Sequence, residues 1–454
     1  MGRHSRGIGG RVLLAGLGLA FGGGRAWAGD QPIAIFHAFN QPYAEVTAFV
    51  CDVGAEGYSH LQIAPAQKSN PTDQWWARYQ PVDYTKIDGK GTETDLKQLV
   101  AKAHGCGVKI IADVVFNHMA VLPQFADLHF PGIGPENFHR PPCDINYGDG
   151  NRDSEVTCWL GGNLPDLDQT KSVVMAVQKK HLKKLLSLGV DGFRFDAAKH
   201  MPPATVKAYI DYVDQQSHGK TWNYLEVIDD GDTPASVYTP VAAVEDFLLY
   251  RSMKGAFSFG GDLRSLKVPT AVPDPRSVTF GRNHDNIKEL NDKAIDAYTD
   301  KTDSYLATAF VLAHEGGTPL VLNWDNADVP YIRAGVRFRQ ILRQRNGAGA
   351  NVKETVLGVV DSPTLLVMER GAEGFFVVNK ATARFDVPAL DLTLTNLEGC
   401  YRELRNNFLI AVQRKNDNKK WVTRWGTWSR GGMQVEGRDA LYFIREPWSE
   451  CQGH

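Results

Sequence analysis

Short apolar segments alternate with segments of helical spacing through most of this chain, and the alternation limits the folds it can adopt. Residues 109–115 form a nearly continuous apolar run, the pattern of a parallel strand that is buried on both faces. Residues 94–104, just before it, have helical spacing and stop at Gly105. Strands that alternate with helices predict βαβ units, and eight of them predict an α/β fold, the (β/α)8 TIM barrel. The predicted strands are 34–39, 59–63, 109–115, 190–195, 222–227, 244–249, 277–280 and 319–322.

Two regions depart from this alternation. Residues 119–168 follow the third predicted strand, are rich in Pro, Gly, Asn and Asp, and predict an irregular lobe inserted into the barrel. Residues 348–454 contain alternating short strands, which predict a C-terminal antiparallel β-sandwich. Its predicted strands are 365–369, 374–379, 390–397, 421–425 and 440–444. The barrel is therefore assigned to residues 29–118 and 169–347.

The first 28 residues have the composition of a secretory signal peptide. Arg3, Arg6 and Arg11 precede a short apolar run, and Ala26 and Ala28 form a small-residue cleavage site. The run is shorter than the roughly 20 residues that a membrane span needs, and glycines interrupt it. We expect a secreted, extracellular protein, with the periplasm as the alternative compartment.

Charge and length indicate which partners and how many domains to expect. A formal net charge of −2 gives no electrostatic reason to bind nucleic acid or an anionic membrane surface. The 454 residues suit one large barrel with a smaller neighbouring domain. We expect a monomer with no nucleic-acid partner and no membrane partner.

Six cysteines in an exported chain without a C-x-x-C pair predict disulfides rather than a metal cluster. Two expected pairs, Cys143–Cys158 and Cys400–Cys451, each lie within one region. The third, Cys51–Cys106, would join helices of consecutive βα units, which pack side by side on a barrel. Free buried thiols remain the alternative.

Three carboxylates lie at the ends of separate predicted strands: Asp196 on the fourth, Glu226 on the fifth and Asp285 on the seventh. Reactive groups of such barrels lie at the C-terminal ends of the strands, so we expect the three to meet at one mouth. Arg194 is two residues from Asp196 and shares its strand face. Carboxylates that flank a glycosidic bond are what acid-catalysed sugar transfer requires.

Each of these residues has a chemical and a structural interpretation. Arg194 should keep Asp196 ionised, as a nucleophile requires, or the two could simply brace the barrel. Crowding by other carboxylates should raise the pKa of Glu226, as a general acid requires, whereas in isolation it reads as an exposed loop residue. Asp285 could stabilise positive charge at an anomeric carbon, or cap a helix that begins near residue 286.

Four motifs in one order along the chain resemble the signature regions of the α-amylase family, glycoside hydrolase family 13. They are DVVFNH (113–118), GFRFDAAKH (192–200), YLEVI (224–228) and FGRNHD (280–285). The resemblance covers nearly the whole mature chain. It implies that Asp196 is the nucleophile, Glu226 the acid/base and Asp285 the transition-state stabiliser of a retaining mechanism.

The resemblance also implies a set of sugar-binding residues. Two of them, His118 and His284, each follow an Asn at a strand end. Residues 74–81, QWWARYQP, resemble the second barrel loop of the family, where aromatic rings stack on glucose. The implied set is His118, Arg194 and His284 next to the cleaved bond, Lys199 and His200 on the leaving-group side, and Trp76, Tyr79 and Gln80 on the second loop.

A structural calcium ion is implied between the lobe and the barrel. Asn117 and Asp166 match its side-chain ligands, and His200 matches a ligand that acts through its backbone carbonyl. A further carbonyl is expected near Thr157. Oxygen-only ligands suit calcium.

Chloride is not expected. Animal-type members of the family bind chloride with an Arg or Lys just after the eighth strand, where this chain has Asp325. Arg194 and Asn283 would by themselves make a poor anion site.

The motifs together predict an endo-acting α-amylase that hydrolyses internal α-1,4-glucosidic bonds of starch, glycogen and maltooligosaccharides. Residues 164–168, LPDLD, resemble members that cleave α-1,4 rather than α-1,6 bonds. One alternative is a maltooligosaccharide-forming amylase or a transglycosylase with the same catalytic residues. Another is a non-catalytic relative, which the presence of all three carboxylates disfavours.

Overall fold

The structure is a computed structural model that describes residues 30–161, 163–267, 272–273, 275–290, 294, 296–346, 354–357, 362–387, 397–414, 420–425 and 433–452. The predicted signal peptide, residues 1–28, lies outside them.

Eight parallel strands close into a barrel, which confirms the predicted (β/α)8 fold. Each strand pairs with the next along the chain, and the eighth returns to the first with Leu320 opposite Ile35. The third strand is wholly apolar apart from Lys109 and Asp113, as a strand covered on both faces requires. The barrel strands are Ile35–Ala38, His60–Ile63, Lys109–Val115, Gly192–Asp196, Trp222–Leu225, Ala243–Glu245, Ser277–Thr279 and Thr318–Leu322.

Helices cover the outside of the barrel, with one exception. The fifth and sixth strands are joined by a short 3₁₀ turn, Ala235–Val237, rather than by a long helix. The prediction of a strand over residues 244–249 was partly wrong, because the Asp246 carboxylate accepts from the Leu249 amide at 2.8 Å and caps a helix there. The barrel helices are Tyr43–Glu56, Glu93–Gly105, Ser172–Ser187, Pro203–Ser217, Phe247–Phe257, Lys301–Ala313, Asn323–Asp328 and Pro330–Asn346.

The segment after the third strand is irregular, as its composition predicts. The described part of the segment contains a short helix, Arg152–Thr157, and the 3₁₀ turns Pro123–Phe125 and Pro135–Asn137. The end of the segment returns to the barrel, where His118 forms a β-bridge with Asp166.

In its described residues the C-terminal region is antiparallel, as predicted, and its two layers differ in their number of strands. One layer is a seven-stranded sheet, and the other is a ribbon of Phe385–Val387 paired with Met433–Val435. The predicted strand 390–397 lies outside the described residues except at its end, and strands Gly399–Glu403 and Leu409–Arg414 were not predicted. In spatial order the large sheet contains Glu354–Leu357, Leu365–Arg370, Gly374–Asn379, Asp439–Glu446, Gly399–Glu403, Leu409–Arg414 and Lys420–Trp425, and helix Trp448–Gln452 follows.

Alternate residues of the large sheet belong to different cores. Leu366 and Met368 join the barrel core, whereas Leu365 and Val367 pack in the second cluster with residues of the ribbon. This period of two is the geometry of a strand buried on both faces. The sheet is therefore seated directly on the barrel helices.

All six cysteines form the three predicted disulfides, Cys51–Cys106, Cys143–Cys158 and Cys400–Cys451. The alternative of free thiols is therefore wrong. Among the described residues, no helix combines the length and apolar character that crossing a bilayer would take.

Candidate active site

One buried guanidinium organises the mouth of the barrel. Arg194 on the fourth strand is fully buried and contacts four carboxylates from different strands. Its Nη1 atom lies 2.8 Å from Asp113 Oδ2 and 2.9 Å from Asp196 Oδ1, and its Nη2 atom lies 2.9 Å from Glu226 Oε1. Its Nε atom donates to Glu245 Oε1 at 3.0 Å. Asp196 and Glu226 are thus held on adjacent nitrogens of one planar group.

The third predicted carboxylate, Asp285, lies close enough to Glu226 for the two side chains to influence each other's ionisation. Asp285 lies in a 3₁₀ turn, His284–Asn286, that begins after the seventh strand. The side chain of Asn283 accepts from the Asp285 amide at 3.1 Å, so Asn283 is the cap and Asp285 is not. The second oxygen of Glu226 accepts from the Ala197 amide at 2.7 Å.

The pKa shifts of the carboxyl groups in this cluster differ in direction from the sequence-based prediction. Burial and repulsion from Glu226 raise the pKa of Asp196 well above its usual value, because Arg194 is shared among four carboxylates. Burial opposes ionisation of Glu226, but Arg194 and the Ala197 amide outweigh it and lower the pKa of that carboxyl. Burial and Glu226 raise the pKa of Asp285 as well. In this structure the pKa shifts of Asp196 and Glu226 are therefore opposite in direction to those that the sequence predicts.

Aromatic rings line the mouth on the side of the second loop. His284 lies between Tyr79, stacked at a centroid distance of 5.2 Å, and Phe39, stacked at 5.0 Å. Burial, followed by repulsion from Arg194, lowers the pKa of His284 to about 3, so the ring is neutral. The Tyr79 hydroxyl donates to Asp113 Oδ2 at 3.1 Å, which ties the loop to the carboxylate cluster.

The remaining second-loop residues differ in their exposure and contacts. Trp76 is 40% exposed, and its neighbour Trp75 packs against His284 at 5.9 Å instead. The side chain of Gln80 accepts from Asn70 at 2.9 Å. His118 donates from Nε2 to the Tyr79 carbonyl at 2.9 Å, and burial lowers its pKa to about 4.

Lys199 and His200 lie on the opposite side, against the lobe. The Lys199 ammonium is buried, pairs with Asp230, and lies 3.3 Å from Glu155 Oε1. It also lies 4.8 Å from the centre of the Tyr147 ring, which is half exposed. The His200 ring hydrogen-bonds through Nδ1 to the Glu155 carbonyl at 3.0 Å.

Two groups of oxygens in the described residues are candidates for a cation. In the first, predicted from the sequence, Asn117 Oδ1 and Asp166 Oδ1 are buried without a hydrogen-bond partner. The other Asp166 oxygen contacts His139 Nδ1 at 2.5 Å. Thr157 lies at the end of the lobe helix and donates its hydroxyl to the Asp153 carbonyl at 2.6 Å. These orphaned oxygens fit a calcium ion.

The second group was not predicted. Glu155, Asp230 and Asp232 each bring one carboxylate oxygen to within 4.8 Å of the others. A cationic partner is already present there, because Lys199 contacts both Glu155 and Asp230.

Asp113, Glu245, Trp75 and Tyr147 are parts of the site that the sequence-based set omitted. A carboxylate inside an otherwise apolar strand must find a partner, and this signal was available for Asp113 and Glu245. Asp325 faces elsewhere: it is buried and accepts from Arg282 Nε at 2.8 Å.

A closed parallel barrel whose mouth gathers paired carboxylates is the arrangement of a barrel glycoside hydrolase. The family model for the α-amylase catalytic domain matches residues 55–128. An α-amylase of Aeromonas hydrophila is 31% identical over 407 residues, which cover 76% of this chain and 84% of that protein. The chain belongs to the α-amylase family.

Solved structures share the fold. An α-amylase I mutant of Eisenia fetida, determined with maltohexaose, superposes with a TM-score of 0.73 at 21% identity, over 90% of this chain and 98% of that one. A cyclomaltodextrin glucanotransferase with a three-domain ABC distribution superposes with a TM-score of 0.68 at 18% identity, over 92% of this chain and 100% of that one.

Proposed function

We propose that this protein is an endo-acting α-amylase that hydrolyses internal α-1,4-glucosidic bonds of starch, glycogen and maltooligosaccharides with retention of configuration. The observation that carries the proposal is that Asp196 and Glu226 are bound to neighbouring nitrogens of Arg194, with Asp285 against Glu226. Retaining enzymes need two carboxyl groups about 5–5.5 Å apart, and one shared guanidinium supports such a spacing.

Each of the three carboxylates has a different role in the reaction. Asp196 attacks the anomeric carbon and forms the covalent glycosyl-enzyme, while Glu226 protonates the departing oxygen. Glu226 then takes a proton from water, which releases the sugar from Asp196. Asp285 binds ring hydroxyls and stabilises the charge of the oxocarbenium-like transition state.

Substrate binding must first redistribute a proton in this cluster. Sugar hydroxyls that donate to Asp285 favour its ionised form, and a proton that Asp285 gives up passes to the adjacent Glu226. Protonated Glu226 no longer repels Asp196, which lowers the pKa of Asp196, and Asp196 releases its proton to solvent before it attacks. Because the groups are coupled, the activity profile reports the pKa values of the cluster rather than of single residues.

Binding of the sugar chain is assigned to the two sides of the cluster. His118 and His284 contact the glucose unit next to the cleaved bond, supported by Tyr79, Trp76 and Gln80 of the second loop. Arg194, which the resemblance also implies as a sugar contact, is fully buried and acts instead by holding Asp196 and Glu226. Lys199 and His200 contact the leaving-group side, where the half-exposed Tyr147 ring is adjacent to Lys199. Neutral histidines can both donate to and accept from hydroxyls, which suits an uncharged substrate.

The activity test uses soluble starch. We expect viscosity to fall faster than reducing ends appear, linear products, and newly formed ends in the α configuration by NMR. Glu226→Gln should lower kcat at least about 1,000-fold, because the proton donor is lost. Glu289→Gln, at a half-exposed carboxylate near the mouth, should stay within about twofold and is the matched control. Products in the β configuration would refute the mechanism, and cyclic products would instead identify a transglycosylase.

We also propose a structural calcium ion held by Asn117, Asp166 and the backbone carbonyls of His200 and Thr157. The buried oxygens of Asn117 and Asp166 that lack partners support it. When bound, the ion would supply charge neutralisation that ties the lobe to the barrel. Chloride is not proposed as a requirement.

Thermal unfolding with and without a chelator tests the calcium site. We expect the chelator to lower the Tm of the wild type, calcium to restore it, and Asp166→Asn to abolish the response. Asp232→Asn, in the second group of carboxylates, should respond as the wild type does. Loss of the response in Asp232→Asn alone would indicate that the ion binds at the second group of carboxylates.

We propose further that the protein is secreted, by a signal peptide over residues 1–28, to the medium or the periplasm, and acts as a monomer without nucleic-acid or membrane partners. Three disulfides support an oxidising compartment. N-terminal sequencing of the exported protein and its sedimentation mass test both statements. A mature chain that still begins at Met1 would refute the first, and a dimer mass the second.

A further inference from the structure

Glu245 is a buried carboxylate at the mouth that the proposed mechanism leaves without a role. It lies at the end of the sixth barrel strand and is 1% exposed. Its Oε1 atom accepts from Arg194 Nε at 3.0 Å, and its Oε2 atom accepts from Asn283 Nδ2 at 3.0 Å. Both oxygens are therefore turned away from the sugar and towards two groups of the site.

These two groups position the reacting carboxylates. Arg194 uses its other nitrogens to hold Asp196 and Glu226. Asn283 uses its amide oxygen to cap the turn that carries Asp285, at 3.1 Å from the Asp285 amide. Glu245 thus connects the groups that support all three carboxylates.

We propose that Glu245 is a positioning residue: an internal anion whose carboxylate locks Arg194 and Asn283 in place and so holds Asp196, Glu226 and Asp285 in reacting geometry. Misplacement of reacting groups by about 1 Å is enough to cost about 100-fold in rate. Because Glu245 does not face the sugar, its removal acts on kcat rather than on KM.

The alternative is a carboxylate that only stabilises the barrel, as a buried charged pair often does. Truncation separates the two roles. In Glu245→Ala the Nε–H of Arg194 and the amide of Asn283 would both point into the space that the carboxylate leaves. Two inward-facing donors with one positive charge form a weak seat for a small monovalent anion, which formate or chloride fills only when added at high concentration.

The test compares Glu245→Ala with Glu245→Gln, a variant that keeps the volume and removes the charge. We expect kcat on a short maltooligosaccharide to fall about 100-fold in both, with KM within about threefold of the wild type. Sodium formate or chloride should restore kcat saturably in Glu245→Ala by at least tenfold. It should not do so in Glu245→Gln, whose amide fills the seat. Sodium sulfate at equal ionic strength controls for screening, since sulfate is too large for the seat.

Two results would overturn the proposal: a Glu245→Ala enzyme with near wild-type kcat in anion-free buffer, or formate that raises its Tm without restoring kcat. If Glu245→Ala does not fold, the test compares Glu245→Gln with Glu245→Asp instead. Asp keeps the charge but is one methylene too short to reach both donors, so kcat should lie between the wild type and Gln. Equal kcat for Asp and Gln would then refute the role of the charge.

The kinetic readout rests on the proposed function, whereas the binding readout does not. A formate titration followed by thermal shift detects the anion seat in Glu245→Ala even if the wild type fails to act on starch. If the wild type is inactive on starch but formate stabilises Glu245→Ala, the proposed function is refuted and the anion site is supported. Absence of stabilisation together with active wild type would refute the seat alone.

Discussion

Arg194 shows how a single side chain can determine the chemistry of a site. Its planar guanidinium presents five N–H donors in fixed directions, and here they serve Asp113, Asp196, Glu226 and Glu245. One positive charge among four buried carboxylates leaves an excess of negative charge, which the cluster relieves by holding protons. The raised pKa of Asp113, to about 6 by burial, follows from the same shortage.

Tyr79 allows stacking and hydrogen bonding to be separated at one residue. Tyr79→Phe removes the hydroxyl that donates to Asp113 at 3.1 Å but keeps the ring on His284, so we expect kcat/KM to fall about fivefold, the value of one hydrogen bond. Tyr79→Ala also removes the ring, and a further fall of about tenfold is expected. Steady-state kinetics on maltooligosaccharides measure both. A Phe variant as weak as the Ala variant would show that the ring contributes nothing.

At the scale of elements, burial on the outside of the barrel constrains residues that carry no chemistry. Helix Ser172–Ser187 packs against the segment Pro81–Ile87, and its His181 is buried beside the Phe116 ring. The Nδ1 atom of His181 bonds the Tyr84 carbonyl at 3.0 Å. Burial lowers the pKa of His181 to about 4, so the ring is neutral in the folded protein at physiological pH.

This depressed pKa predicts a pH dependence of stability. An unfolded His takes up a proton near pH 6.5, whereas folded His181 does not until about pH 4, so the unfolded state binds more protons between these values. The free energy of unfolding should therefore fall as pH falls from about 6.5 to about 4, by about 3 kcal/mol from this residue.

His181→Asn keeps a donor to the Tyr84 carbonyl and removes the titration. We expect it to flatten that pH slope in urea unfolding. His218→Asn, at an exposed helix end with a φ of 53° that Asn tolerates, is the control and should leave the slope unchanged. An unaltered slope in His181→Asn would contradict the assignment.

At the scale of the whole molecule, the C-terminal sheet is anchored to the barrel by polar contacts as well as by its apolar face. The Lys380 ammonium donates to the carbonyls of Ala256, Ser258 and Gly261 at 2.7, 2.9 and 2.6 Å. These carbonyls lie in the last turn of helix Phe247–Phe257 and just after it, and the C-terminal end of a helix favours a cation. The Tyr442 hydroxyl adds a bond to the Ala309 carbonyl at 2.9 Å.

Lys380→Met should weaken this connection. The Met side chain is similar in length to that of Lys but leaves the three carbonyls without their donor. We therefore expect the free energy of unfolding to fall by about 2 kcal/mol. Lys207→Met, which removes an exposed ammonium paired with Asp211 within one helix, should cost less than about 0.5 kcal/mol. Calorimetry of both variants measures the difference. Equal stability of the two would mean that the apolar face alone seats the sheet.

Local patterns predicted much of the fold. The third strand was predicted at its observed bounds because a continuous apolar run is visible without any partner. The three disulfides were predicted because their cysteines lie in one region or on neighbouring helices. The helix from Phe247 was missed because its first residues are as apolar as a strand, and the Asp246 cap that starts it depends on geometry.

Sequence alone determined which reactive groups this protein has and the order of the elements that carry them, because apolar periodicity and short motifs are local properties of a chain. The tertiary structure alone decided which charges meet. Arg194 contacts Asp113, which is 81 residues away in the sequence, and Glu245, which is 51 residues away. The energies of buried charges depend on distance through space and on loss of solvent. For that reason the opposite pKa shifts of Asp196 and Glu226, and the position of Glu245 behind them, followed only from the folded molecule.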